Sequence, residues 1–266
     1  MVGIYMQLTG IAIAFDIAMP YSLSVGLPLA SWLIYLCDHL LDVSKNAKQQ
    51  LSARHEFIRS HYKLITALTL MLLSICTSIL IIDHHMLLIY AALIMAFFCL
   101  VYIGLTFFAP KQWQWLYNKE LLVAFVYATS IYIYPAMSMG LSQDIVWGYL
   151  LLFATAYVNL LLMSIIEQKD DMKQNRFSWV IILGRSRSIN LLRFVMSASI
   201  TGCAVAIWLT STTPQALLYA IYCSVMIIHI LLHFLYTRNA ISAYATRILT
   251  EAAFWLPILM AIAWLF

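Results

Sequence analysis

Long apolar runs separated by short polar turns recur from one end of this chain to the other. Nine spans are expected, over residues 3–19, 21–42, 62–83, 86–108, 120–140, 145–166, 189–211, 215–236 and 248–266. Each has about the 17–25 residues that cross a bilayer core as a helix. The pattern predicts an all-α integral membrane protein of nine transmembrane helices. The first span is expected to be short or tilted, because it carries Asp16 near its end and stops at Pro20. A single membrane domain is expected over residues 1–266, built from two four-helix halves, about 1–108 and 120–236, and a last helix at 248–266.

Composition agrees with this reading. Of the 266 residues, 64% are hydrophobic and 10% charged, whereas a soluble domain carries about a quarter charged residues. The placement of charge adds more than the net charge of +4. Connections after spans 1, 3, 5 and 7 carry Asp16, Asp83, His84, His85 and Asp144, and no basic residue. Connections after spans 2, 4, 6 and 8, with the first turns that follow them, carry all 15 Lys and Arg. By the positive-inside rule the N-terminus is expected in the cytoplasm and the C-terminus outside. The basic loops also suit anionic lipid headgroups. No cleavable leader is read at the N-terminus, which points to a bacterial inner membrane. Cys37, Cys76, Cys99, Cys203 and Cys223 lie in apolar runs without metal-ligand spacing and read as small buried hydrophobes. Nothing in the pattern suggests a nucleic acid or a protein partner.

Two acidic turns break the apolar pattern. Asp38 and Asp42, four residues apart at the end of the second span, fall on one helical face. Glu167, Asp170, Asp171 and Gln174 end the sixth span at i, i+3, i+4 and i+7, again one face. Acids at the edge of a membrane helix are costly and mark a site. If the two faces meet across a central cavity open to the cytoplasm, they would hold magnesium. That ion takes one or two carboxylates and fills its remaining positions with water and phosphate oxygens. Lys45, Arg54, Arg59, Lys119 and Arg176 are the candidates for binding a polyanion nearby, although positive-inside bias alone would place basic residues there. Tyr35, His39 and Asn159 are candidates for lining the cavity; for Asn159 an interhelical hydrogen bond is the plainer reading. His229 and His233, at i and i+4, read as packing histidines, and Arg247 with Glu251 as a local surface pair, a wall of the cytoplasmic site being the alternative for Glu251. Trp113 and Trp115 suit an interfacial anchor. Carboxylate pairs, basic loops and an apolar interior open to the bilayer together suit a lipid diphosphate, its headgroup on the metals and its tail in the membrane. Metals would stabilise charge on the leaving diphosphate and aromatic rings the allylic cation left behind.

On these motifs the chain resembles the UbiA-type intramembrane prenyltransferase superfamily, over essentially its whole length. The family's first motif, N-D-x-x-D-x-x-x-D, is similar to Asp38-His39-Leu40-Leu41-Asp42-Val43-Ser44-Lys45-Asn46. Its second, D-x-x-D-x-x-x-D, is similar to Glu167-Gln168-Lys169-Asp170-Asp171-Met172-Lys173-Gln174, and the R-x-x-T-L-P-V-x-L-G continuation to the stretch Asn175 through Arg185. The last acid of each motif is an amide here, Asn46 and Gln174, and the acid usual at the second position is His39. An amide oxygen still ligates magnesium but brings no charge. The resemblance implies a nine-helix fold and magnesium held by Asp38, Asp42, Asn46, Glu167, Asp170, Asp171 and Gln174. It implies transfer of a prenyl group from a prenyl diphosphate to a lipid-soluble or aromatic acceptor, as in quinone or related lipid synthesis. A membrane terpene cyclase of the same superfamily is the alternative within this chemistry. A transporter or a non-catalytic lipid-binding relative is the alternative outside it.

Overall fold

The computed structural model describes residues 2–45, 53–108, 118–173 and 178–264, apart from the side chains of 45, 53–55, 170 and 173. Asn46, Lys111, Trp113, Trp115, Gln174 and Arg176 therefore lie outside the described residues, as do the side chains of Lys45, Arg54 and Asp170. The described residues form helices and no strand: α1 (Val2–Phe15), α2 (Tyr21–Lys45), α3 (Ala53–Ser60), α4 (Tyr62–Asp83), α5 (Met86–Ile103), α6 (Lys119–Met139), α7 (Gln143–Lys173), α8 (Trp179–Leu183), α9 (Arg185–Leu209), α10 (Thr213–Thr237), α11 (Ala243–Ala253) and α12 (Ile258–Trp264). A π-helical turn, Gly104–Phe108, continues α5. Apolar sequence in lipid leaves the backbone no solvent partner, and the helix satisfies each N–H and C=O internally.

Eight stretches are long and apolar enough to cross a membrane, the last of them Ala243–Trp264 across α11 and α12. The remaining expected span is α1. Its 14 residues reach about 21 Å at 1.5 Å per residue, short of a hydrocarbon core of about 30 Å. It stops where Asp16 turns left-handed, φ 51°, a conformation that Asp tolerates better than most residues. The last helix breaks at Pro257, which has no N–H and whose ring crowds the carbonyl four residues back. Bonds there shorten to i→i−3: Trp255 N–H to Ala252 O at 2.9 Å, Ile258 N–H to Trp255 O at 3.0 Å.

Consecutive long helices pack against one another, α2 on α4, α5 on α6, α6 on α7 and α9 on α10, while α7 also packs on α9 and α10. The short α1 is central, touching α2, α6, α10 and α12. Its Gln7 is fully buried. The Gln7 amide accepts from the Tyr222 hydroxyl at 3.2 Å, donates to Phe254 O at 3.4 Å, and Tyr222 reaches the Tyr132 hydroxyl at 3.4 Å. This chain ties α1, α6, α10 and the broken last helix together inside the membrane. Side chains such as Leu64, Leu93, Phe97, Leu100 and Trp208 are exposed on the outer faces, as lipid contact requires.

Candidate functional site

The end of α2 meets the α5–α6 connection. Asp38 Oδ1 accepts from the Tyr102 hydroxyl at 2.8 Å. Tyr102 is the second-last residue of α5, next to the π turn. Lys119, at the start of α6, lies over the Tyr102 ring, 5.9 Å from its centroid, and within electrostatic reach of both Asp38 and Asp42. Asp42 is half-buried one turn beyond Asp38. His39 is buried; its Nδ1 donates to Tyr35 O at 2.9 Å, and its ring packs on Tyr35 with centroids 4.0 Å apart. Its Nδ1 is 3.9 Å from Asp38 Oδ2. Tyr35 itself is 44% exposed. Two aromatic rings thus flank Asp38, and an ammonium lies within electrostatic reach of both carboxylates.

The second acidic turn lies on the last part of α7. The helix runs on to Lys173, past the end of the apolar stretch at Ile166, so Glu167 and Asp171 stand on regular helix. Glu167 Oε1 accepts from Arg247 Nη1 at 2.8 Å, a contact across 80 residues of sequence. Arg247 is on the first turns of α11 and also donates through Nε to Glu251 Oε1 at 3.3 Å. The expected local pair therefore exists, and the same guanidinium also reaches the acidic turn. Asp171 is half-buried.

The start of α6 stands between the two turns. Lys119 faces the carboxylates of α2. Its neighbour Glu120 is 5% exposed and accepts from Ser164 Oγ of α7 at 2.8 Å and from Trp179 N–H of α8 at 3.3 Å. Asn118 caps the helix, accepting from Leu121 N–H at 2.9 Å, and donates to the Tyr157 hydroxyl at 2.9 Å. These contacts bring both turns to the same end of the bundle. The turns nonetheless keep separate partners: α2 packs chiefly on α4 and α7 on α6 and α9. Among the described residues no group of three or more His, Cys, Asp and Glu side chains is arranged around one metal position.

Beside the second turn lies a cavity of about 520 Å³, lined mostly by apolar residues of α1, α6, α7 and α11. Tyr127, Phe254 and Trp255 supply aromatic walls, and Asn159 and Glu251 the polar atoms. Asn159 Oδ1 is buried with no hydrogen-bond partner among the described residues, so this oxygen makes no interhelical bond to them. Glu251 joins this cavity to Arg247 and so to Glu167.

Other candidates lie apart. Arg59 is on α3, its Nη2 3.1 Å from Glu56 Oε1, an exposed pair one turn apart. His229 donates from Nδ1 to Val225 O at 2.7 Å and meets Phe254 edge-on, in keeping with a packing histidine. Sequence reading passed over Tyr102, Glu120 and the reach of Arg247 to Glu167. Glu120 carried a signal, an acid in the first turn of a helix on the basic side of the membrane, where the helix dipole favours it. Tyr102 carried none, since a tyrosine near the end of an apolar span reads equally as an interfacial anchor.

No protein-family model matches the chain, and no curated protein matches its sequence. Its fold does match a solved structure. The apo structure of a UbiA homolog from Aeropyrum pernix K1 superposes with a TM-score of 0.69 at 11% sequence identity, covering 100% of this chain and 97% of that one. The chain therefore has the fold of a UbiA homolog.

Proposed function

We propose that this chain is an intramembrane prenyltransferase that binds a prenyl diphosphate at its two acidic turns and transfers the prenyl group to a lipid-soluble, aromatic acceptor. One observation carries the reading. On a UbiA-homolog fold, the carboxylates of α2 near Lys119 and Glu167 of α7 on Arg247 lie at one end of the bundle, and Glu251 links Arg247 to an apolar cavity.

The donor set suits magnesium. Asp38, Asp42, Glu167 and Asp171 offer hard carboxylate oxygens, and Asp170, Asn46 and Gln174 continue the same sets in sequence. Magnesium bound to a diphosphate needs only one or two carboxylates, with water and phosphate completing the octahedron. A closed cage of protein ligands is not required. When bound, it would neutralise the charge that builds on the leaving diphosphate.

The chain's own residues would do the rest. Tyr102 holds Asp38 in one orientation through its hydroxyl, and Lys119 supplies positive charge to phosphate oxygens. The allylic C–O bond breaks with its electron pair leaving on the diphosphate. The prenyl cation lies along the cavity, where the rings of Tyr127, Phe254 and Trp255 stabilise it and exclude water. The acceptor forms the new carbon bond and gives up a proton. The sidedness of the basic loops supports a site that faces the cytoplasm.

The test is thermal stability of the detergent-purified protein with a prenyl diphosphate analogue, in Mg²⁺ and in EDTA. A specific ligand present at about 100 times its dissociation constant adds about 2.7 kcal/mol. Stabilisation is expected in Mg²⁺, lost in EDTA and lost in Asp42→Ala/Asp170→Ala. A folded wild type with no metal-dependent shift would turn the assignment to a transporter or a non-catalytic relative.

A further inference from the structure

Arg247 sits where no part of the proposed reaction yet uses it fully. It is half-buried, at the start of α11, with one donor on Glu167 and another on Glu251. The guanidinium carries more donors than these two bonds use. Both bonds go to carboxylates that have other work in the proposed site: Glu167 begins the second acidic motif, and Glu251 lines the apolar cavity. An ion pair this exposed is weak, so exchanging one anion for another costs little. The flat fork of arginine matches two phosphate oxygens as well as it matches a carboxylate.

We propose that Arg247 is a phosphate-positioning residue of this site: without ligand it is parked on Glu167, and when a diphosphate enters it releases Glu167 and takes a phosphate oxygen. The inference rests on the diphosphate reading above. The exchange has two consequences that are the same event. Glu167 loses its guanidinium partner at the moment a metal accompanies the diphosphate, so its oxygens become available to the metal only when substrate is present. Glu251 remains as the tether that keeps Arg247 in reach, and its own place on the cavity wall sets the headgroup next to the opening that receives the tail. A chain that has lost the terminal acid of each motif has fewer carboxylates to spare, and parking a cation on Glu167 keeps that acid oriented while the site is empty. Sequence alone hides this role, because Arg247 and Glu251 at i and i+4 already explain each other as a surface pair.

The experiment measures binding of geranyl, farnesyl and geranylgeranyl thiolodiphosphates, with Mg²⁺, to wild type, Arg247→Ala, Arg247→Lys and Arg238→Ala by calorimetry. The matching prenyl alcohols serve as ligands without phosphate. Arg238 lies just after α10 over the Phe234 ring, 5.1 Å away, and its removal deletes the same charge from the connection that leads into α11. Arg247→Ala is expected to weaken the best diphosphate analogue by about tenfold or more, as loss of a charge-assisted phosphate contact does. Arg247→Lys should recover part of that loss, since it keeps the charge and loses the fork. The prenyl alcohols, and the analogue on Arg238→Ala, should stay within about twofold of wild type, the range of a neutral surface change. If wild type binds the analogue and Arg247→Ala binds it equally well, Arg247 is a surface pair and the inference fails alone. Equal losses for analogue and alcohol would also overturn it, because a damaged cavity would then be the cause. If wild type binds no analogue at all, the diphosphate reading itself fails. Arg247→Lys keeps the charge in place and decides the matter should Arg247→Ala not fold.

Discussion

At the scale of single residues, the acids were legible and their partners were not. Asp38, Asp42 and Glu167 stand out because a carboxylate at the end of an apolar span has few structural excuses. Tyr102 is bonded to Asp38 across 64 residues of sequence and Arg247 to Glu167 across 80. No local spacing announces such pairs. Asn159, a candidate both for the cavity and for an interhelical bond, lines a cavity, and its Oδ1 has no partner among the described residues. Tyr102 gives a residue-scale prediction. The hydroxyl orients Asp38 without itself being a metal ligand, and removing such a partner lowers metal affinity about 10- to 100-fold. Tyr102→Phe is therefore expected to raise the Mg²⁺ concentration needed to stabilise the analogue complex by at least about tenfold, with the fold intact. An unchanged Mg²⁺ requirement in a titration would show that the bond is incidental.

At the scale of elements, the apolar runs locate the helices well and their ends poorly. The sixth apolar span was placed at 145–166 with the acidic turn continuing on its helical face, and α7 does continue to Lys173. Its charged tail has no glycine or proline to stop it, and hydropathy registers only where lipid ends. The last span was expected as one helix from 248; it begins at Ala243 and breaks before Ile258, because Pro257 interrupts the bonding that hydropathy cannot see. α3 and α8 were not anticipated, being a polar helix and a five-residue one. The close packing of α6 on α7 offers a test at this scale. A Cβ at Gly148 would collide with the Tyr132 hydroxyl, while Tyr132 is itself fixed in the buried network with Tyr222 and Gln7. Gly148→Ala is expected to cost about 1–3 kcal/mol, the usual cost of overpacking a tight core. Unfolding in denaturant would reveal it, and an unchanged midpoint would mean that Tyr132 moves freely aside. Gln7→Leu should destabilise by a similar amount, about 1–3 kcal/mol, because the Phe254 carbonyl and the Tyr222 hydroxyl lose their partner in a dry interior.

At the scale of the whole molecule, the all-helical membrane fold follows from constraints that leave sequence identity free. Lipid demands apolar runs of fixed length and internal backbone bonding, and many sequences satisfy that. Such a fold is shared with a UbiA homolog although few residues coincide. The alternating charge of the connections predicts the orientation: a reporter fused after Phe266 should be active outside the cytoplasm and one within the 109–117 connection inside it. The reverse pattern would move the acidic end to the opposite face. The central claim is that the two acidic turns act on one metal-bound diphosphate. It is tested most directly by solving the structure with Mn²⁺ in place of Mg²⁺ and a prenyl thiolodiphosphate bound, and locating the metal by its anomalous signal. The account predicts metal between the diphosphate and carboxylates of both α2 and α7. Diphosphate bound with metal on one turn only, or at neither, would contradict it.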